Sequence, residues 1–303
     1  MRLRDIIAVL LIVFVAVGGK YYRMGQDHPP PERRPDPRQF EPAPPTFPEV
    51  PPNAGRALAP PKNSDPSVLV EVETKQQNAV GTAFSLNRSG VWITAHHVTE
   101  GCDLVVLQRN DGKSVVVRRI AEQRHADISI MWTKGGTPAL PVSNPPLTVG
   151  EDGYSFGFPH GRPGDVHGRI IGNARLIASG RYRTTEPVIA WTQVRRIPDE
   201  GTNLGGISGG PWLNQAGDVI GVHVAGSPRR GRSYSTTPQA LLTALSLNHV
   251  VPVPDRAALP GNGDLMPGGF GQYGDELRRR QTVAKVICLV GEKWRHRAAS
   301  PSG

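Results

Sequence analysis

The chain has 303 residues, including 30 prolines, 35 glycines and two cysteines, and carries a formal charge of +9. Its length allows one large domain or two ordinary ones, but the proline- and glycine-rich stretches lie toward the two ends and leave one globular middle. The arginines behind the charge are scattered or sit in tails and no nucleic-acid-binding motif is present, so the excess supports weak membrane-surface attraction and no nucleic-acid partner.

In chain order, Arg2 and Arg4 precede the apolar run Ile6 to Val17, which is followed by Gly18, Gly19 and Lys20. Residues 1–23 therefore read as a secretory signal peptide, with Ala16 and Gly18 as small residues for cleavage. They read equally as a membrane anchor, if Tyr21 and Tyr22 extend the run into the interface. Both readings export the protein to a periplasmic or other extracytoplasmic compartment, and the second anchors it in the inner membrane. Residues 24–65 are dominated by proline with Glu, Arg and Ala, a composition that supplies no core and predicts a disordered spacer. At ~3.1 Å per residue, such a spacer reaches on the order of 100 Å.

From Ser67 onward, short β-branched runs separated by Gly, Pro and Asn predict strands over Ser67 to Thr74, Ala79 to Leu86 and Val91 to Thr94, the last running into Ala95-His96-His97-Val98. Further strands are predicted over Asp103 to Gln108, Ser114 to Ala121 and Asp127 to Trp132. A proline-rich connection leads to a second set: Val166 to Ser179, Pro187 to Arg195, Pro211 to Leu213 and Asp218 to Ala225. A closing helix is predicted over Pro238 to Leu247. Beyond it, residues 249–303 read as a Pro/Gly-rich linker, an amphipathic helix over Asp275 to Val290 and a basic tail. The globular unit thus spans residues 66–248 and holds two similar β units in series.

Chemistry concentrates in Gly205-Gly206-Ile207-Ser208-Gly209-Gly210-Pro211, where one hydroxyl sits among glycines that allow a sharp turn. Such a turn can aim the N–H groups of Gly206 and Ser208 at one point, the geometry of an oxyanion hole. A serine nucleophile needs a base and a carboxylate to orient it. His97, after the strand ending at Thr94, and Asp127, opening Asp127-Ile128-Ser129-Ile130, are the upstream candidates, with Asp103 a rival carboxylate.

Thr94-Ala95-His96-His97-Val98, Asp127-Ile128-Ser129-Ile130 and Gly206-Ile207-Ser208-Gly209-Gly210-Pro211 together resemble the trypsin-like serine proteases of the chymotrypsin fold. The His-Asp-Ser order, with spacings of about 30 and about 80 residues, is similar to the bacterial HtrA type. Tyr154 to Pro159 resembles the segment that opens the second barrel in those enzymes. The resemblance implies an all-β fold of two six-stranded antiparallel β-barrels, Ser67 to about Lys134 and about Pro145 to Thr237, with the site in their cleft. It implies a serine endopeptidase acting on protein or peptide substrates, with His97 as base, Asp127 as its orienting acid and Ser208 as nucleophile. The family pattern selects His97 and leaves His96 structural or on the surface. No cofactor and no metal are expected, since His125, His160 and His167 lack zinc-ligand spacing and read as surface or loop residues.

The chain departs from the family in three places. Ile207 stands where digestive enzymes carry an aspartate that captures a new N-terminus, so zymogen activation of that type is not expected and a catalytically inactive binding module on a membrane stalk stays open as the alternative. The C-terminal region lacks the strand pattern of a PDZ domain. His223, in Val222-His223-Val224-Ala225-Gly226, matches the histidine with which bacterial glutamyl endopeptidases read an acidic residue before the scissile bond, but Asn203 replaces their hydroxyl partner. The resemblance makes His223, Val224, Ala225 and Gly226 the substrate-binding strand, with Arg229 and Arg230 adding positive potential and a small apolar residue as the competing preference. Cys102 and Cys288 are read as a disulfide, as two buried thiols or with Cys288 modified. An α/β-hydrolase is disfavoured, because its triad places histidine last.

Overall fold

The structure is a computed structural model that describes residues 55–199, 203–227, 230–260 and 265–299. The apolar segment 1–23 and the Pro-rich segment up to residue 54 lie outside the described residues. No described helix is long and apolar enough to cross a membrane.

Two curled, mainly antiparallel sheets make the fold. The first contains β2 (Ala79–Ser85), β3 (Val91–Thr94), β4 (Leu104–Gln108), β5 (Ser114–Val116), β6 (Arg119–Glu122), β7 (Ser129–Trp132) and β14 (Val283–Leu289), in the order β5-β4-β14-β2-β3-β7-β6. The second contains β1 (Ser67–Val72), β8 (Asp152–Gly157), β9 (Gly164–Gly180), β10 (Thr184–Ile197), β11 (Pro211–Leu213), β12 (Val219–Ser227) and β13 (Arg232–Thr236), in the order β1-β9-β10-β13-β12-β11-β8, with β8 also pairing β9. The short runs of Val, Ile and Phe that predicted strands are the ones buried here: Ala83, Phe84, Ile93, Ile130, Val188 and Val222 are nearly or wholly inaccessible. Such β-branched and aromatic side chains suit a pleated, packed surface. Trp191 and Trp212 stack with ring centroids 4.1 Å apart in the core of the second sheet.

Each sheet has seven strands rather than the expected six: the run expected as one strand over Ser114 to Ala121 divides into β5 and β6, and two further differences change which strands each sheet holds. The strand β1 was expected in the first unit but pairs in parallel with β9 at the edge of the second sheet, from Ser67 opposite Arg175 to Val72 opposite Gly180. Its period-two pattern turns Val68, Val70 and Val72 inward onto the cluster containing Ala174 and Leu176 and leaves Leu69 79% exposed.

The second difference corrects the helix expected over Asp275 to Val290. The helix runs only over Phe270–Arg279 (α3), and Val283–Leu289 is a strand inserted between β2 and β4. The helix stops at a left-handed residue, Gln281 at φ 58°. There the N–H of Gln281 donates to the Arg278 carbonyl and that of Thr282 to the Leu277 carbonyl, both at 2.9 Å, which is a Schellman ending without its usual glycine. Beyond it, Val283, Val286 and Cys288 are buried in a mainly alternating pattern that a strand satisfies and a helix does not. The first sheet therefore extends past the boundary set at residue 248.

The helix expected at Pro238 to Leu247 is present over the same residues (α2), capped by Thr237, whose hydroxyl accepts from the Ala240 N–H at 3.1 Å. Cys102 and Cys288 form a disulfide. It ties the turn after the short helix His96–Thr99 (α1) to β14, not to a helix as expected.

Candidate active site

The site lies between the sheets and is assembled from both. His97 sits in α1, directly after β3, and Asp127 lies just before β7, the strand that pairs with β3 through Thr94 opposite Ser129. This neighbouring pairing brings the two residues together. His97 Nδ1 lies 2.6 Å from Asp127 Oδ2, and the His97 main-chain N–H donates to Asp127 Oδ1 at 2.9 Å. Asp127 is 2% exposed. Burial alone would raise its carboxyl, but the adjacent His97 ring and the hydrogen bonds from His97 hold it below the ordinary aspartate range.

Ser208 is held in the loop before β11. Its turn needs two left-handed glycines, Gly206 at φ 102° and Gly209 at φ 88°, and a Cβ at Gly209 would come within 2.1 Å of the Thr82 carbonyl oxygen. The first sheet grips this loop through Thr82. Its N–H donates to the Ser208 carbonyl at 2.8 Å and its hydroxyl to the Gly206 carbonyl at 2.8 Å. His223 of β12 grips it from the second sheet, exchanging main-chain hydrogen bonds with Gly209 and Gly210 at 2.8 Å each.

A third clamp sets the direction of the amides. The His160 N–H donates to the Gly205 carbonyl at 2.6 Å, and the ring Nε2 of His160 lies 2.9 Å from the Asn203 carbonyl. A trans peptide points its N–H opposite to its carbonyl. The Gly206 N–H is thus directed away from His160, and among the described residues no group accepts from the N–H of Gly206 or of Ser208. Ile207, 1% exposed, packs in the core beside Trp212 and Ile220, so its apolar side chain is compatible with this turn.

His97, Asp127, Gly206, Ser208, Val224, Ala225 and Gly226 line one cleft of about 490 Å³. A second cavity of about 730 Å³ opens from Ser208 and is lined by Gln193, Asn203, His223, Ala225, Gly226 and Arg230, among others. Between His223 and Ala225 the β12–β13 register slips at Val224, a bulge of the kind that re-aims side chains beside a site. The His223 ring stacks on Trp212 at 6.0 Å, its Nδ1 is buried without a partner, and burial together with the nearby His97 pushes its pKa down to about 3. A charged His223 ring is therefore not what the free site offers. Arg230 stands at the cavity, while Arg229 lies outside the described residues.

The other singled-out residues are placed as follows. His96 is buried at 8% exposure, stacks on Tyr182 at 4.4 Å and pairs with Glu100 at 3.0 Å and Glu122 at 3.6 Å. Asp103 is engaged elsewhere, accepting from the Gly291 N–H and Arg295, both at 2.7 Å. His125 is exposed. His167, expected at the surface, is 1% exposed in β9 with Nε2 at 2.8 Å from Asp152, because Tyr154 of β8 and Phe270 of α3 cover its ring.

Four contributors escaped the sequence reading. They are Thr82 and His160, which fix the loop, and Tyr182 and Glu186, which touch Asp127. Tyr182 donates its hydroxyl to Asp127 Oδ1 at 3.2 Å, and Glu186 Oε1 accepts the Asp127 main-chain N–H at 2.7 Å.

Two curled β-sheets with a histidine–aspartate pair and a glycine-flanked serine in their cleft define a chymotrypsin-fold protein. Residues 81–222 match the family model described as the trypsin-like peptidase domain. The match covers just under half of the chain. A protein named "Probable periplasmic serine endoprotease DegP-like" from Pseudomonas savastanoi pv. phaseolicola is 26% identical over 167 residues, covering 54% of this chain and 33% of the relative. One of the same name from Hahella chejuensis is 27% identical over 153 residues, covering 49% and 30%. The chain thus spans about a third of the length of these relatives. Among solved structures, the active form of the Rv3671c protease from M. tuberculosis aligns with a TM-score of 0.47 at 17% identity, covering 65% of this chain and 96% of that one.

Proposed function

We propose that residues 66–248, completed by β14, form a serine endopeptidase that cleaves protein or peptide substrates through Ser208, His97 and Asp127. The observation that carries this reading is the doubly bonded His97–Asp127 pair, with Nδ1 at 2.6 Å from Oδ2, in the cleft that Ser208 also lines. With Nδ1 committed to Asp127, Nε2 is the ring atom left to take the Ser208 proton as the hydroxyl attacks the scissile carbonyl. Asp127, kept ionised, stabilises the imidazolium that forms. The N–H groups of Gly206 and Ser208 receive the developing oxyanion, and their lack of protein acceptors supports that role. The imidazolium returns its proton to the leaving amine, and water repeats the sequence to release the acyl group.

The open edge of β12 at Val224, Ala225 and Gly226 supports main-chain pairing with an extended substrate, since among the described residues β12 pairs only with β13 there. The residue before the scissile bond then enters the cavity holding His223. A neutral ring with an unpartnered nitrogen and Arg230, in a cavity of about 730 Å³, support recognition of an acidic side chain. Export follows from residues 1–23, as a cleaved signal or as an inner-membrane anchor with residues 24–65 as the spacer. The periplasmic assignment in the names of the DegP-like relatives agrees with it.

The test is labelling of the purified protein with a fluorophosphonate, with Ser208→Ala as control. Labelling of the wild type alone supports the peptidase. A folded wild type that does not label overturns it in favour of an inactive module that binds peptides along β12.

A further inference from the structure

We propose that Glu186 is a positioning residue for the proposed triad, holding Asp127 in place across the barrel interface from the second sheet.

The acid of the His97–Asp127 pair comes from the first sheet, but its surroundings do not. Glu186 lies on β10 and Tyr182 on the turn that joins β9 to β10, both in the second sheet. Glu186 accepts the Asp127 main-chain N–H at 2.7 Å, the one hydrogen bond that N–H makes among the described residues. Tyr182 donates to Asp127 Oδ1 at 3.2 Å. Oδ1 also takes the His97 N–H, so Oδ2 is left facing the ring. Asp127 is therefore held at four points: His97 takes two on the carboxylate, and the other barrel supplies Tyr182 on the carboxylate and Glu186 on the main chain.

Charge decides the form of Glu186. It is 1% exposed, its Oε2 has no partner, and the ionised Asp127 lies beside it. Burial and the Asp127 charge push its carboxyl well above the ordinary glutamate range. Among the described residues no cation is hydrogen-bonded to it; the other titratable groups about Asp127 are His97, Tyr182, His96 stacked on Tyr182, and Arg181, which donates to the His97 carbonyl at 3.2 Å. A neutral acid accepts the N–H through its carbonyl oxygen without adding a second anion that would compete for the charge on His97. Removal of the side chain leaves a buried N–H unsatisfied at the base of the triad.

This inference rests on the peptidase reading for its kinetic consequence, but its geometric part is testable without turnover. The far-downfield proton on His97 Nδ1, read by NMR, reports the Asp127 contact in wild type and in the inert Ser208→Ala background. Glu186→Ala is expected to lower kcat on the order of 100-fold with KM within twofold, and to broaden or shift that proton. Glu186→Gln, a neutral isostere with the same acceptor, is expected to restore most of both, and Tyr182→Phe to produce a smaller loss. Should Glu186→Ala fold poorly, the Gln and Phe variants carry the comparison. The inference is overturned if Glu186→Gln loses as much as Glu186→Ala, or if Glu186→Ala keeps kcat and the proton unchanged. A wild type that neither labels nor hydrolyses defeats the peptidase reading instead, while the proton in Ser208→Ala still decides for or against Glu186.

Discussion

Asp127 holds His97 twice, once through the ring at Nδ1 and once through the main chain. The double grip separates two functions that a single substitution can pull apart. Asp127→Asn keeps a side chain able to accept the His97 main-chain N–H, but it stabilises the wrong tautomer of the ring. We expect kcat to fall ~10⁴-fold with the fold intact. Ser208→Ala should lose on the order of 10⁵-fold or more and all fluorophosphonate labelling. Steady-state kinetics on a peptide library checks both, and an Asp127→Asn protein within tenfold of wild type contradicts the assigned role.

Specificity should follow His223. With otherwise identical peptides carrying Glu, Ala or Lys before the cleaved bond, Glu is expected to give the highest kcat/KM. The advantage over Ala should shrink about tenfold in His223→Ala, since a hydrogen bond to a charged group contributes about 1.5–3 kcal/mol. An unchanged preference in that variant, or no advantage for Glu in wild type, removes His223 from the recognition of substrate.

The cluster of His96, Glu100 and Glu122 has a pH signature. Burial opposes the charge on His96, but Glu122 and Glu100 outweigh it and raise its pKa above 6.5. Burial likewise opposes the charge on Glu122, yet His96 and Glu100 bring its pKa below 4.5. The His96 contribution is therefore complete below pH 6.5 and fades as pH rises through the folded value. The Glu122 contribution is present above 4.5 and fades as pH falls through its folded value. Between those limits both act, so His96→Gln should destabilise most at about pH 5–6 and least above neutrality. Thermal melts across that range read the difference, and a flat profile contradicts it.

Arg278 on α3 forms a bidentate pair with Asp165 on β9, at 2.5 and 3.0 Å, with side chains 8% and 1% exposed. Arg278→Ala strands the carboxylate and should cost about 3–5 kcal/mol in urea denaturation. Arg278→Met combined with Asp165→Leu removes both charges and should cost clearly less. Equal losses in the two proteins would mean that packing of α3, not charge, sets the value.

The disulfide closes a loop between residues 186 apart in sequence. Cys102→Ser with Cys288→Ser is expected to lower unfolding stability by about 2–5 kcal/mol, chiefly by freeing the denatured chain. Denaturation of the oxidised protein with and without reductant gives the same quantity, and agreement of the two curves would show the bridge to be without effect.

Much of the site was legible because its chemistry is carried by local motifs. His97, Asp127 and Ser208 each occupy a strand end or a glycine turn whose residue types suit the roles proposed for them. Thr82, Tyr182 and Glu186 were not legible, because each acts by a long-range contact that no local pattern encodes; Glu186 and Asp127 are separated by 59 positions. The strand β13 was missed since Arg232-Ser233-Tyr234-Ser235-Thr236 buries polar residues whose hydroxyls find partners in Trp191, Gln193 and the Val222 N–H. The strand β14 was hidden by its neighbour: with Gln281 in place of a glycine at the left-handed position, nothing in the composition signalled that the helix had ended.

The position of β14 also orders events during biosynthesis. It lies between β4 and β2, so a chain made only as far as α2 can form the pair β5-β4 and the group β2-β3-β7-β6 but has nothing to join them. The barrel that carries His97 and Asp127 closes only after residue 289 has left the ribosome and, on the export reading, crossed the membrane. Every earlier form of the polypeptide has a divided first sheet, and the proposed His97–Asp127 pair sits on a continuous one only once β14 has joined it.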